Sequence, residues 1–155
     1  LLKYGLDKAA QEFGWLVDAH LMPMPRVWEA RAAVETGGVH AMMDLSDGLG
    51  RDLPKLSKAS GVGACVYADK LPISADLRTA AEVLGMDPID LAAGGGEDFE
   101  LLMAVAPEEV IKVIRAVKET GTSVTEIGEI VEGAVEIAYA DGRRGPLRGG
   151  WEHFR

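Results

Sequence analysis

The feature that most constrains the fold is an abrupt change of pattern around Asp44. The apolar residues 41–43 are typical of the end of a buried strand, whereas Leu49, Leu53 and Leu56 recur at the spacing of one helical face. A strand therefore passes into a helix across the segment DLSDG. Because the first N–H groups of a helix lack backbone partners and carry partial positive charge, this junction suits an anionic ligand such as a phosphate.

The same junction contains two carboxylates. Asp44 and Asp47 flank Ser46, and Gly48 allows a close approach of backbone to a ligand. Carboxylates beside a phosphate are repulsive unless a divalent cation such as Mg²⁺ bridges them. The pattern predicts a site for a metal nucleotide, and the alternative is that Ser46 or Asp47 simply caps the helix.

A second acidic pair lies next to another predicted strand. The glycines at 94–96 precede Glu97 and Asp98, and the apolar residues 101–105 follow shortly after them. The sequence thus places two acidic loops at strand ends, which favours a ligand site over two unrelated helix caps.

These segments, together with the tail GGWEHF at 149–154, resemble the C-terminal part of the thiamine-monophosphate kinase family, in which DxSDGL and GGEDxELL elements are characteristic. The resemblance extends over about residues 25–154. It implies an α+β fold of the aminoimidazole-ribonucleotide-synthetase-like superfamily, a three-layer α/β/α domain with a mixed sheet that is partly ferredoxin-like. It also implies that residues 1–155 are a single C-terminal domain and that an N-terminal nucleotide-binding domain is absent from this sequence.

The resemblance implies an ATP-dependent phosphotransferase that converts thiamine monophosphate to thiamine diphosphate, as a homodimer in the full-length protein. The acceptor phosphate is already an anion, so no general base and no catalytic residue is assigned. The implied site residues are Asp44 and Asp47 for Mg²⁺, Ser46 for ATP, and Glu97, Asp98 and Trp151 for the substrate.

Several alternatives stay open. The chain could be a non-catalytic binding or structural module of the same fold, or part of another ATP-dependent member of the superfamily. Trp151 could be core rather than a substrate contact. The basic cluster of Arg143, Arg144 and Arg148 could be a solvated face or could help to hold a phosphate.

Composition excludes some functions. A net charge of −9 argues against a nucleic-acid partner, because binding that backbone requires clustered Lys and Arg. No apolar run approaches the roughly 20 residues that span a bilayer. Cys65 lies in an apolar run and is interpreted as a core residue, and a cytoplasmic setting is expected.

Local patterns also predict the secondary structure. Ser74 and Asp87 are predicted helix caps, and Asp141–Gly142 a hairpin turn. Asp52 is predicted to face solvent, and the methionines at 22 and 24 with Trp28 are interpreted as core cover. Helices are expected at 8–20, 27–36, from about 50, 74–84, 86–92 and 107–119, and strands of one sheet at 39–43, 63–68, 101–105, 124–130 and 134–140.

Overall fold

The computed structural model describes residues 11–149. Two short 3₁₀ turns, Ala68–Lys70 and Pro107–Glu109, separate some of the regular elements. The helices are α1 (Gly14–Leu21), α2 (Val27–Glu35), α3 (Leu49–Ser60), α4 (Ala75–Leu84), α5 (Pro88–Gly94) and α6 (Val110–Lys118). The strands are β1 (Val39–Asp44), β2 (Gly63–Tyr67), β3 (Leu101–Val105), β4 (Gly128–Val131), β5 (Val135–Ala138) and β6 (Arg144–Pro146).

The strands divide between two sheets. One has the order β4-β2-β5-β6 and is mixed, because β2 is parallel to β5 and antiparallel to β4. The other is an antiparallel pair of β1 and β3, in which Asp44 lies opposite Leu101. The predicted α+β class with a mixed sheet is confirmed, whereas the expectation of one sheet is wrong.

Two apolar cores hold the helices and the two sheets together. The larger one contains Leu49 and Leu53 of α3, Val66 of β2 and Ile137 of β5, so α3 packs on the mixed sheet. The smaller one joins α2 to α6 through Ala33, Val113 and Val117, and side chains of β1 and β3 pack against it. Strand β1 therefore packs on both cores, through Met43 on the larger and Met42 on the smaller.

Several local predictions are confirmed by hydrogen bonds. The Ser74 side chain accepts from the N–H of Leu77 at 3.1 Å, and the Asp87 side chain accepts from that of Ile89 at 2.7 Å, so both residues cap helices. The predicted hairpin turn at 141–142 joins the antiparallel strands β5 and β6. Cys65 is buried and free, as expected of a core residue.

Other predictions were wrong, and each depended on tertiary contacts. Asp52 is 0% exposed rather than solvent-facing. Trp28 is 69% exposed, and Met22 and Met24 are 70% and 66% exposed, so none of the three covers a core. The expected strand at 124–130 begins only at Gly128.

The first part of the predicted helix at 8–20 lies outside the described residues. Within residues 11–149, no helix has the length and apolar character needed to cross a membrane.

Candidate functional site

The two acidic loops lie side by side because they extend the pairing of β1 with β3. We call residues 44–48 acidic loop 1 and residues 95–100 acidic loop 2. The N–H of Leu45 donates to the Glu100 carbonyl at 2.8 Å, and the N–H of Phe99 donates back to the Leu45 carbonyl at 2.8 Å. The N–H of Glu97 donates to the carbonyl of Ser46 at 2.7 Å. The backbone thus brings together two acidic pairs that lie about fifty residues apart in the sequence.

Glycines make this close approach possible. Gly48 has φ 93° and ψ 158°, a conformation essentially restricted to glycine, and a side chain there would collide with the Gly95 carbonyl. A Cβ at Gly96 would lie 3.0 Å from the Ser46 carbonyl oxygen. Acidic loop 1 and the glycine run therefore pack backbone against backbone.

The end of the described chain joins the same contact. A Cβ on Gly50 would lie 2.7 Å from the Arg148 carbonyl oxygen, and a Cβ on Gly149 would lie 2.6 Å from the Cα of Gly94. Residues 148–149 thus contact both the start of α3 and the end of α5. Trp151, the predicted substrate contact, lies outside the described residues.

Acidic loop 2 has an unusual backbone. Glu97 and Phe99 have φ of 65° and 50°, in the left-handed region that non-glycine residues rarely adopt. Such residues cost on the order of 1–3 kcal/mol each and persist where surrounding contacts hold them, often at functional sites. Here their N–H groups are held by acidic loop 1, as described above.

The acidic side chains differ in their surroundings. Asp44 is exposed, Asp47 is half-buried, and the Glu97 side chain is 62% exposed and lies 3.7 Å from Nε2 of His20. Asp98 is exposed, but protein atoms around its carboxyl partly desolvate it, which raises its pKa. The charge of Glu100 raises this pKa further, and His20 lowers it.

Charged contacts that the sequence did not predict support both loops. In acidic loop 1, the ammonium of Lys55 bridges the carboxylates of Asp47 and Asp52, which raises the pKa of Lys55. In acidic loop 2, Nη2 of Arg26 donates to Oε1 of Glu100 at 2.7 Å, and its Nε donates to Oε2 at 3.0 Å. The i,i+3 spacing of Asp52 and Lys55 on a helix could have predicted their ion pair from the sequence. Nothing in the local sequence indicates the contact of Arg26 with Glu100, which lies 74 residues away.

The carboxylates of the described residues do not build a closed metal site. Among residues 11–149, no group of three or more His, Cys, Asp and Glu side chains is arranged to hold a metal ion. Mg²⁺, however, commonly takes only one or two carboxylates from a protein and completes its shell with water and phosphate oxygens. Acidic loop 1 supplies two carboxylates, Asp44 and Asp47, and that of Asp47 is paired with Lys55.

The basic cluster is divided by the fold. Arg143 pairs with Asp141 at 2.6 Å and lies over the ring of Tyr139, and with Arg144 it lines a cavity of about 250 Å³. Arg148 instead lines a separate cavity of about 90 Å³ beside α5. Arg143 and Arg144 therefore border one cavity and Arg148 the other, with Tyr139 at the edge of both.

Comparison with known proteins gives consistent matches. The sequence profile of the family "AIR synthase related protein, C-terminal domain" matches residues 3–141. The thiamine-monophosphate kinase of Rhodopirellula baltica is 42% identical over 118 residues, 76% of this chain and 37% of the relative. That of Aquifex aeolicus is 34% identical over 139 residues, 90% of this chain and 41% of the relative.

Solved structures show the same fold. The structure of AaThiL complexed with AMPPCP and TMP superposes with a TM-score of 0.73 at 33% identity, covering 92% of this chain and 42% of that one. The hydrogenase maturation protein HypE of E. coli, at 24% identity and a TM-score of 0.69, shares the fold alone.

The chain spans about two fifths of the length of the curated relatives it matches. Because the family profile covers most of its residues, including both acidic loops, the chain belongs to the family of AIR synthase related proteins as a C-terminal domain.

Proposed function

We propose that this chain is the C-terminal domain of a thiamine-monophosphate kinase, which transfers the γ-phosphoryl group of ATP to thiamine monophosphate and forms thiamine diphosphate. The observation that carries the proposal is the pairing of the two acidic loops, through the 2.7 Å contact of Glu97 N–H with the Ser46 carbonyl. Relatives at 34–42% identity bear this name, and a structure with similar fold binds AMPPCP, an ATP analogue, together with TMP.

The residues of acidic loop 1 are proposed to bind ATP together with Mg²⁺. Asp44 and Asp47 would hold Mg²⁺, and Ser46 would contact ATP. When bound, Mg²⁺ neutralises the charge that otherwise keeps two phosphate groups apart. The buried contacts of Gly48 keep the loop backbone in one geometry, so the carboxylates need little rearrangement when the nucleotide arrives.

Acidic loop 2 and the chain end are proposed to bind the acceptor. Glu97 and Asp98 would contact thiamine monophosphate, and Trp151 would pack on its cationic thiazolium ring. The last described residue, Gly149, packs against Gly94 next to acidic loop 2, and Trp151 follows it by two residues in the sequence. No residue of the chain is proposed as a general base, because the acceptor oxygen is already ionised.

The rest of the protein is proposed to supply the remaining parts of the site. An N-terminal nucleotide-binding domain and a homodimer of the full-length protein would complete it, in the cytoplasm. The chain spans about two fifths of the length of its curated relatives, which supports this division of the site between two domains.

The test is an acceptor-dependent assay of the full-length protein. With ATP and Mg²⁺, we expect ADP to form only when thiamine monophosphate is added, in equal amount to thiamine diphosphate measured by chromatography. Thiamine and other monophosphates serve as control acceptors. Absence of thiamine diphosphate from a folded protein that binds ATP would favour another reaction of the superfamily, and absence of ATP binding would favour a non-catalytic module.

A further inference from the structure

The Asp52 side chain has no part in the function proposed above, yet it is the most completely buried charged group among the described residues. It lies in the first turn of α3 and is 0% exposed. Buried carboxylates are retained where they are paired and hydrogen-bonded. The hydrogen-bond partners of Asp52 therefore show which groups this carboxylate stabilises.

Both carboxylate oxygens of Asp52 accept hydrogen bonds, one from acidic loop 1 and one from Lys55. Oδ2 accepts from the backbone N–H of Asp47 at 2.8 Å, and Oδ1 accepts from Nζ of Lys55 at 2.7 Å. The same Nζ contacts Oδ2 of Asp47. Asp52 thus holds the backbone of Asp47 directly and the side chain of Asp47 through Lys55.

The geometry is an extended form of the capping box. In a capping box, a side chain in the first turn of a helix reaches back to the N–H of the capping residue. Here the capping position is Gly48, whose conformation excludes a side chain, and Asp52 reaches one residue further back to Asp47. Gly48 has no side chain to accept from the first helical N–H groups, and Asp52 supplies only the other half of the box, by accepting from an N–H that precedes the helix.

We propose that Asp52 is a positioning residue: it fixes the backbone of Asp47, and with Lys55 it directs the Asp47 carboxylate. The positioning itself is independent of any reaction, whereas its consequence for catalysis rests on the proposed function, in which Asp47 holds Mg²⁺. Lys55 contributes a tethered cation that keeps the two carboxylates from repelling each other.

Amide hydrogen exchange of the full-length protein, without nucleotide or metal, tests the positioning. We expect the Asp47 amide to exchange slowly in the wild type and about 10- to 100-fold faster in Asp52→Ala, the factor that corresponds to one charge-assisted hydrogen bond. The Val66 amide, in β2 and 2% exposed, is the reference for global opening, and acceleration of the Asp47 amide beyond that of Val66 measures the local effect. The near-isosteric Asp52→Asn retains an acceptor oxygen and should accelerate the Asp47 amide by less than Asp52→Ala.

Two controls lie on the same helix. Ser57 is buried, and its Oγ has no hydrogen-bond partner, so Ser57→Ala changes a buried polar side chain of α3 without touching acidic loop 1. Lys58→Met removes an exposed lysine charge one residue further on. Both variants should leave the exchange of the Asp47 amide unchanged.

Fast exchange of the Asp47 amide in the wild type would overturn the proposal, whether or not any variant folds. So would an unchanged rate in folded Asp52→Ala. In the kinase assay, Asp52→Ala should raise the Mg²⁺ concentration for half-maximal rate several-fold, with the KM for thiamine monophosphate retained. Faster exchange with unaltered Mg²⁺ dependence would support the positioning role and count against Asp47 as a metal ligand, so the two proposals fail separately.

Discussion

At the scale of single residues, the proposed metal-binding role of Asp44 and Asp47 gives the most specific prediction. In the full-length protein, Asp44→Asn or Asp47→Asn should lower turnover by at least about 100-fold, because a metal contact made in the transition state is lost. The thermal midpoint should change little, because Asp44 is exposed and the Lys55 partner of Asp47 is half exposed.

The matched control is Asp76→Asn, which changes an exposed aspartate in the first turn of α4. Steady-state rates at low Mg²⁺, where weakened binding is most visible, measure the difference. Near-normal activity in both acidic-loop variants would leave Asp44 and Asp47 as structural residues only.

Trp151 is also a single-residue case. If it packs on the thiazolium ring, Trp151→Ala should raise the KM for thiamine monophosphate by roughly 2- to 30-fold, the equivalent of a cation–π contact of about 0.5–2 kcal/mol. The KM for ATP should not move. Trp28→Ala, which removes a tryptophan that is 69% exposed, is the control.

Thermal melting separates Trp151 as a substrate contact from Trp151 as core. A lowered melting temperature with both constants intact would assign it to the core and dismiss the stacking contact.

The raised pKa of Asp98 predicts that the stability of the protein depends on pH. Its folded-state pKa is raised by desolvation, so the folded protein binds this proton more tightly than the unfolded chain does. The stabilisation is fully present below the unfolded pKa of the carboxyl and is lost as the pH rises through the folded pKa. Asp98→Asn, which stays neutral, should therefore be more stable than the wild type at neutral pH.

Denaturant titrations of Asp98→Asn and wild type at a series of pH values measure this effect. The gap in free energy of unfolding should close as the pH falls below about 3.9, the ordinary pKa of an aspartate. A gap that stays constant with pH would show that Asp98 is not desolvated in solution.

At the scale of elements, glycines decide how close the segments lie. Gly48→Ala should lower the free energy of unfolding by about 3 kcal/mol or more, because it combines a glycine-only conformation with a collision against the Gly95 carbonyl. Gly61→Ala is the matched control: Gly61 ends α3 in the left-handed region, and a Cβ there meets nothing within 4 Å.

For Gly61→Ala we expect a loss of only about 1–2 kcal/mol, the conformational cost alone. Chemical denaturation of the two variants gives the comparison. Equal losses would mean that acidic loop 1 relaxes away from the glycine run at little cost.

At the scale of the whole molecule, we expect the isolated 155-residue chain to fold, because two apolar cores are present within residues 11–149. We expect it not to form thiamine diphosphate from ATP and thiamine monophosphate at a useful rate. The chain spans about two fifths of the length of the curated relatives, and the metal role proposed for acidic loop 1 involves only two carboxylates.

Circular dichroism with thermal melting tests folding, and the acceptor-dependent assay tests activity, with the full-length protein as the positive control. Robust thiamine diphosphate formation by the purified chain alone would overturn the division of the site between two domains.

The sequence by itself determined what depends on near neighbours. The change from strand to helix after Asp44, the caps at Ser74 and Asp87 and the turn at 141–142 follow from hydrophobic period and side-chain chemistry within a few residues. The family and the two acidic loops also followed from short motifs. Each of these features depends on residues close together in the sequence, so it can be predicted without knowing the fold.

Only the tertiary structure decided which segments meet. It separated β1 and β3 from the other strands and inserted β2 between β4 and β5, because strand pairing depends on contacts far apart in sequence. It buried Asp52 completely, against the solvent-facing prediction, because Gly48 turns the chain so that the Asp47 N–H points back at the helix. The helical period indicates which face is apolar. That the Asp47 N–H needs an acceptor, and that Asp52 supplies it, becomes evident only once the chain turns at Gly48.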